Sequence, residues 1–327
     1  DSALLGSGSD LFLWSVGDGS DTVDGGTDFD QLRVTGAATD ESFGIFDAAA
    51  GVLVQRVVGL DIAALEVTNV ERLELRTLGG ADSVRLDQLA GTGLTTVVVD
   101  LAATAGGKTA DAKVDTVSIG AHSTDDAYTV SMLGAKIVIG GLGGDVSIAS
   151  AGSSHILSIA GGLDNDLNDA SALPAGKITL ELLGNSNNDT IKGSAGDDKV
   201  LEAGGNDQMF LGAGNDVVDY RSGDGDDLLE GGAGIDSLIL SASSGSPLIA
   251  ANGTRTLLTR GDGSSIDMND VERIHFSATT AAGFLSLNDL ANTDVQLVAL
   301  DLGDPLGKSG NGQDDSISIS ATEGNDA

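Results

Sequence analysis

The sequence predicts an all-β solenoid, and three observations carry that expectation. Aspartates recur at a fixed short period: Asp189, Asp198, Asp207 and Asp216 are nine residues apart, an eleven-residue step reaches Asp227, and nine more reach Asp236. An apolar side chain follows each by two positions, at Ile191, Val200, Met209, Val218, Leu229 and Leu238. Glycine or asparagine crowds the residues just before each aspartate. A period this short belongs to a stacked repeat, in which each unit is stable only against its neighbours. The alternation after each aspartate is a short strand with one side chain facing a core.

The turn residues point to a chemistry. Glycines before the aspartates let the backbone take φ > 0, turn tightly and leave carbonyls pointing inward. Here they are Gly193, Gly196, Gly205, Gly212, Gly214, Gly225, Gly232 and Gly234, accompanied by Asn206 and Asn215. Each aspartate adds a carboxylate to that ring of carbonyls. Oxygen-only donors on a flexible turn suit Ca²⁺, whereas Mg²⁺ wants a stricter octahedron and keeps its waters. Metal-free, solvated β-turns are the alternative reading. Two bare carboxylates 4 Å apart repel by ~1 kcal/mol at the dielectric of water and ~4 at an effective 20, so stacked aspartates favour a cation between them.

The strings Gly193-Ser-Ala-Gly196-Asp-Asp198-Lys-Val200, Gly212-Ala-Gly214-Asn-Asp216-Val-Val218 and Gly231-Gly-Ala-Gly234-Ile-Asp236-Ser-Leu238 resemble the RTX (haemolysin-type) calcium-binding nonapeptide, GGxGxDxUx. The likeness is weaker at Ala203-Gly-Gly205-Asn-Asp207, where Glu202 replaces the first glycine. The resemblance implies a right-handed parallel β-roll or β-helix solenoid with calcium-binding turns, each nonapeptide making half a turn. Several Ca²⁺ ions would sit between turns eighteen residues apart, pairing Asp189 with Asp207 and Asp198 with Asp216. The two-residue insertion before Asp227 is where that column would be interrupted or distorted. The resemblance also implies an extracellular protein, at the cell surface of a Gram-negative bacterium. It would be exported by type I secretion through an uncleaved C-terminal signal outside this chain; no signal peptide opens the sequence.

The same pattern opens the chain. Asp1, Asp10, Asp21 and Asp30 are spaced 9, 11 and 9, matching Asp207, Asp216, Asp227 and Asp236 at an offset of 206, so Asp10, Asp21 and Asp30 join the candidate ligands. Gly17-Asp-Gly-Ser-Asp21 aligns with Gly223-Asp-Gly-Asp-Asp227. Asn69-Val-Glu-Arg-Leu73 matches Asp270-Val-Glu-Arg-Ile274 at an offset of 201. A second period of about 200 residues therefore overlies the short one. It divides the chain into the end of one repeat block (1–34), a β-helical spacer (35–184), a dense repeat block (185–240) and the start of a second spacer (241–327). Both ends fall within a unit, Glu323-Gly-Asn-Asp326 being an unfinished turn, so a fragment of a longer tandem array is expected.

In the spacer, short strands such as Val67 to Leu75, Thr95 to Leu101 and Tyr128 to Met132 read as a parallel β-helix continuing the roll. Asp40 to Leu60 reads as a hairpin standing off it, and no helix is convincing. Gly79-Gly-Ala-Asp82-Ser-Val84 and Gly161-Gly-Leu-Asp164-Asn-Asp166 look like isolated turns of the same type. The spacer resembles those of very large tandem calcium-binding proteins of proteobacteria.

Composition narrows the function classes. With 16 Lys+Arg against 50 Asp+Glu the formal net charge is -34, and no basic patch exists to meet nucleic acid. Such charge with 3% aromatics is typical of disorder, yet 40% of residues are hydrophobic and patterned. Both facts hold if metal binding supplies folding energy, leaving the metal-free chain largely unfolded. There is no cysteine, hence no disulfide or thiolate site, and no run of 18 apolar residues that would span a membrane. His122, His155 and His275 lie far apart, with His155 and His275 read as structural. Gly6-Ser-Gly-Ser-Asp10 lacks a nucleophile-elbow context, and no phosphate-loop GK[ST] occurs. Trp14, Tyr128 and Tyr220 are read as packing residues rather than sugar platforms.

The expectation is a non-enzymatic, calcium-binding structural or adhesive module of a giant surface or secreted protein: an adhesin, filament or S-layer-like coat. Its partners would be calcium, further copies of itself, or surface glycans. The alternative is a calcium-folding accessory region of a secreted toxin or hydrolase, or a carbohydrate-active β-helix.

Overall fold

The computed structural model describes residues 1–48, 50–120, 123–202, 204–220, 225–241, 247–277, 284–301 and 316–319, and every regular element among them is a β-strand. No helix among the described residues is long and apolar enough to cross a membrane. His122, Gly223, Asp224 and the turn Glu323-Gly-Asn-Asp326 lie outside them. The chain divides into two units: Asp1–Ala160 with Asp169–Leu180, and Gly161–Asn168 with Glu181–Ala327.

In the first unit the chain alternates between two sheets. Ser2–Leu4 pairs in parallel with Asp21–Asp24 in one, and Leu11–Ser15 with Gln31–Thr35 in the other. Three- to five-residue strands bounded by glycine turns leave no room for a longer crossover, so each strand lands beside the one two earlier. Alternation along the strand then puts every second residue on one face. Val23, Leu32, Val34, Leu73, Leu75, Val97 and Val99 are buried there, and Trp14 and Tyr128 join them. The second unit repeats the scheme. Thr190–Lys192, Gln208–Ala213 and Asp226–Ala233 are parallel in one sheet. Asp198–Glu202, Val217–Tyr220, Ser237–Ser241, Arg273–Ser277 and Leu297–Asp301 are parallel in the other. All six apolar residues two positions beyond the repeat aspartates, from Ile191 to Leu238, are buried.

The sheets are not purely parallel, and here the expectation is corrected. Ser42–Ala48, Gly51–Val58 and Asp61–Thr68 form an antiparallel zigzag. Its third strand pairs in parallel with Asp21–Asp24 and its first with Ser83–Leu86, so the hairpin is built into the sheet rather than standing off it. The reason is apolar burial. Phe43, Ile45, Val52, Val54, Leu65 and Val67 are all buried, and each would forgo about 1.5–3 kcal/mol if the hairpin stood in water. Ala127–Leu133, Lys136–Gly140 and Asp145–Ala149 form a second zigzag, and Leu248–Asn252, Arg255–Thr259 and Ser265–Asn269 a third. The expected strand from Val67 to Leu75 is also broken: Asn69, at φ 50°, starts a turn between Asp61–Thr68 and Arg72–Arg76.

The first zigzag also delivers an arginine to the interior. Arg56 pairs through Nε, 2.7 Å, and Nη2 with Glu41 Oε1, and both side chains are buried. Removing one partner of a buried pair strands the other's charge at a cost of about 3–5 kcal/mol. Arg56→Leu is expected to lower the urea midpoint accordingly, and Arg56→Leu with Glu41→Gln to recover most of the loss. Equal stability of the single variant and the parent would refute this account.

Candidate metal centre

The aspartates of the repeats occupy one position in each turn, at or beside the start of a strand, and they stack. Oδ1 of Asp30, Asp189, Asp207, Asp216, Asp227 and Asp236 accepts the backbone N–H of the counterpart one layer earlier. In the second unit one column runs Asp166 to Asp189 (2.8 Å), Asp189 to Asp207 (2.7 Å) and Asp207 to Asp227 (2.8 Å). The other runs Asp198 to Asp216 and Asp216 to Asp236, both 2.8 Å, and then from the Asp236 N–H to Glu272 Oε2 at 2.7 Å. Asp189 with Asp207 and Asp198 with Asp216 are the pairs the resemblance implies, and the insertion before Asp227 does not interrupt the stacking. In the first unit the Asp1 amino group lies 2.8 Å from Asp21 Oδ1, while the Asp10 N–H meets Asp30 Oδ1 at 2.8 Å and the Asp30 N–H meets Glu71 Oε2 at 2.7 Å.

The second carboxylate oxygen decides what such a column can do. Oδ2 of Asp10, Asp30, Asp189, Asp216 and Asp236 is buried and has no hydrogen-bond partner. A carboxylate oxygen withdrawn from water without a partner costs a few kcal/mol, and a stack of them repels itself as well. Burial, with neighbouring carboxylates adding to it against the opposing N–H bonds, pushes Asp189 and Asp216 up to about 7. Burial likewise raises Asp236, and lifts Asp198 and Asp227 to about 6. These oxygens fit a cation. Two members of the column are engaged differently: the Asp198 carboxylate accepts the Ser194 N–H and hydroxyl, and Asp227 Oδ2 accepts the Tyr220 hydroxyl.

Carbonyls crowd the same turns. A Cβ on Gly214 would lie 2.5 Å from the Gly196 carbonyl oxygen, and one on Gly234 1.5 Å from that of Gly214, with φ at +142° and +146°. Gly205, Gly212, Gly225 and Gly232 face the carbonyls of Asn187, Ser194, Gly205 and Gly212 in the same way. Gly193 lies under both the Leu211 carbonyl and Asp198 Oδ2. Asn206 and Asn215 are placed elsewhere: they form an outer, exposed ladder. Their N–H groups donate to Asn188 and Asp197, and their Oδ1 atoms accept from Asp226 and Ile235. Among the described residues no three acidic or histidine side chains converge on one point, so an ion here would take most of its donors from the backbone.

A family model of the RTX calcium-binding nonapeptide repeat matches four copies, over residues 15–33, 183–218 and 221–242. The chain carries RTX calcium-binding repeats. No curated protein matches it. The RTX stretches hold Asp21, Asp30 and the six aspartates from Asp189 to Asp236, whereas Asp10 lies just outside. Calcium is the ion that RTX repeats bind, and the unpartnered oxygens above lie in or beside these turns.

Four members of the columns escape a search for aspartate: Glu41, Glu71, Glu272 and His155 hold the same place in their turns. The phase would have found them. Each has a buried apolar residue two positions on, at Phe43, Leu73, Ile274 and Leu157. Asn69 and Asp270, two positions before the glutamates, sit at φ 50° and 51°, where the repeats put glycine. Trp14, Tyr128 and Tyr220 are buried and present no stacking face.

Proposed function

We propose that this chain is a non-enzymatic, extracellular calcium-binding structural segment of a larger bacterial surface or secreted protein, built as a right-handed solenoid that folds when its turns fill with calcium. The observation that carries the reading is the column of buried aspartates whose Oδ2 atoms lack a partner. The assigned ligands are Asp189, Asp216, Asp236, Asp10 and Asp30 through their carboxylates, with the carbonyls packed against Gly205, Gly214, Gly225 and Gly234. Extracellular modules typically bind calcium at about 10⁻⁴ to 10⁻³ M, which suits a chain unfolded in the cytosol and folded outside. The module plan of about 200 residues draws support from local geometry. Asp30, Glu71 and Thr95 are joined by the same hydrogen bonds as Asp236, Glu272 and Gln296. Similar modules in tandem suit a filament, adhesin stalk or surface coat better than a single active site.

Far-UV circular dichroism during a calcium titration, with magnesium as control and light scattering in parallel, tests the reading. A coil-to-β transition is expected in millimolar calcium and not in magnesium, and scattering that rises with it marks self-assembly. A full β spectrum in excess chelator would sink calcium-coupled folding.

A further inference from the structure

Another column lies in the spacer, outside the RTX stretches. The Glu41 N–H donates to Asp82 Oδ1 and the Asp82 N–H to Asp115 Oδ1, both at 2.9 Å, and the Asp115 N–H donates to His155 Nδ1 at 3.2 Å. Asp82, Asp115 and His155 are at most 2% exposed; Asp82 Oδ2 has no hydrogen-bond partner, and Asp115 Oδ2 has none either but lies 3.1 Å from His155 Nδ1. The Asp82 turn reproduces an RTX turn in two further respects. Gly80, at φ +133°, packs against the Thr39 carbonyl as Gly205 packs against that of Asn187. The Ala81 N–H donates to Asp40 Oδ1 at 2.9 Å, as that of Asn206 does to Asn188 Oδ1.

The ends of this column set its charge. At one end Glu41 is neutralised by Arg56, and its Oε2 accepts the Ala37 N–H. At the other, the His155 imidazole stands where a further carboxylate would otherwise be, with Nδ1 3.2 Å from the Asp115 N–H nitrogen and 3.1 Å from Asp115 Oδ2. Two carboxylates remain, which balance one divalent ion. We propose that the Asp82 and Asp115 turns hold a calcium ion of their own, bound by the two Oδ2 atoms and by backbone carbonyls including that of Thr39. The choice of calcium rests on the reading proposed above. The site itself rests on its own geometry, since oxygen-only donors at buried turns select a hard cation.

Equilibrium dialysis of the whole chain against radioactive calcium at pH 7.5 tests this. Asp82→Asn with Asp115→Asn is expected to bind one ion fewer than the parent, with the remaining affinities unchanged within about twofold and the calcium-bound β spectrum retained. Equal stoichiometry overturns the site and leaves the RTX reading intact. A parent chain that binds no calcium overturns both. If the double variant fails to fold, long-wavelength anomalous maps of the unaltered chain crystallised in calcium decide. A peak roughly 2.3–2.6 Å from both Oδ2 atoms supports the site, and its absence overturns it.

Discussion

Alanine at Gly205 is expected to raise the calcium concentration needed for folding at least tenfold, whereas alanine one residue earlier, at Gly204, is expected to be tolerated. The two glycines are adjacent in sequence and opposite in circumstance. Gly205 sits at φ +148°, and a Cβ there would stand 1.9 Å from the Asn187 carbonyl oxygen. Gly204 has an ordinary φ and nothing within 4 Å of the same position. Strained φ alone costs about 1–3 kcal/mol at Gly205. The clash cannot be relieved by rotating a side chain, because the obstacle is backbone. Asn187 must therefore move, and with it a carbonyl of the turn that stacks Asp189 on Asp207. A tenfold shift corresponds to about 1.4 kcal/mol for each ion taken up on folding, so strain reaches it for a single ion and the backbone clash supplies the rest where several bind together. At Gly204 the change should stay within about 0.5 kcal/mol, as at other unconstrained surface sites. Calcium titrations followed by circular dichroism compare the two. Equal losses in both variants would remove close stacking of the turns as the cause.

The same contrast shows which parts of the structure are legible in the sequence. The fold class is, because aspartate, two steps, apolar residue is a phase that only a strand with one buried face satisfies, and Ile191 to Leu238 are buried as that phase requires. The stacking of Asp189 on Asp207 and Asp198 on Asp216 is what the resemblance to the RTX nonapeptide implies. Strand direction does not. Parallel and antiparallel strands share the two-residue alternation, so the Phe43 to Val54 stretch announces strands without saying that they zigzag inside the sheet. Nor does the sequence say that a two-residue insertion is harmless. In the first unit the corresponding insertion forms a turn in which the Trp14 Nε1–H bonds the Gly19 carbonyl and the Ser15 N–H bonds Asp18 Oδ2. The turn lengthens outside the column, and the Asp10–Asp30 contact survives. Glu71, Glu272 and His155 were hidden for a chemical reason: the column needs a polar side chain at that place, and carboxylates of either length or an imidazole can supply one.

Without metal, the folded chain is expected to be more stable in mild acid than at neutral pH, the reverse of most acidic proteins. Asp189 and Asp216 are raised to about 7 and Asp198 and Asp227 to about 6, against an ordinary carboxylate value near 4 in the unfolded chain. The folded state therefore holds protons more tightly than the unfolded one. The stabilisation from these groups is complete below about pH 4 and is lost as pH rises through 6 to 7. Each tenfold gain in proton affinity on folding contributes about 1.4 kcal/mol. Stacked neighbours share protons, so the four do not add in full. Calcium reverses the sign, because it binds the ionised oxygens that protons would otherwise cover. In excess chelator the β signal should be weak at pH 7.5 and grow towards pH 5.5, still above the pI of about 4.1. With millimolar calcium it should be strong at pH 7.5, and binding should release protons. Relief of the net charge of -34 is the competing cause, and salt separates the two. At 1 M salt the screening length is about 3 Å, enough to quench repulsion between exposed charges but not between buried carboxylates. If salt restores the metal-free fold at pH 7.5 as well as protons do at pH 5.5, surface charge is responsible and the buried columns are not. Asp189→Asn with Asp216→Asn makes the complementary case. It should flatten the metal-free pH dependence by mimicking the protonated state while weakening calcium binding, a combination that loss of surface charge alone does not produce.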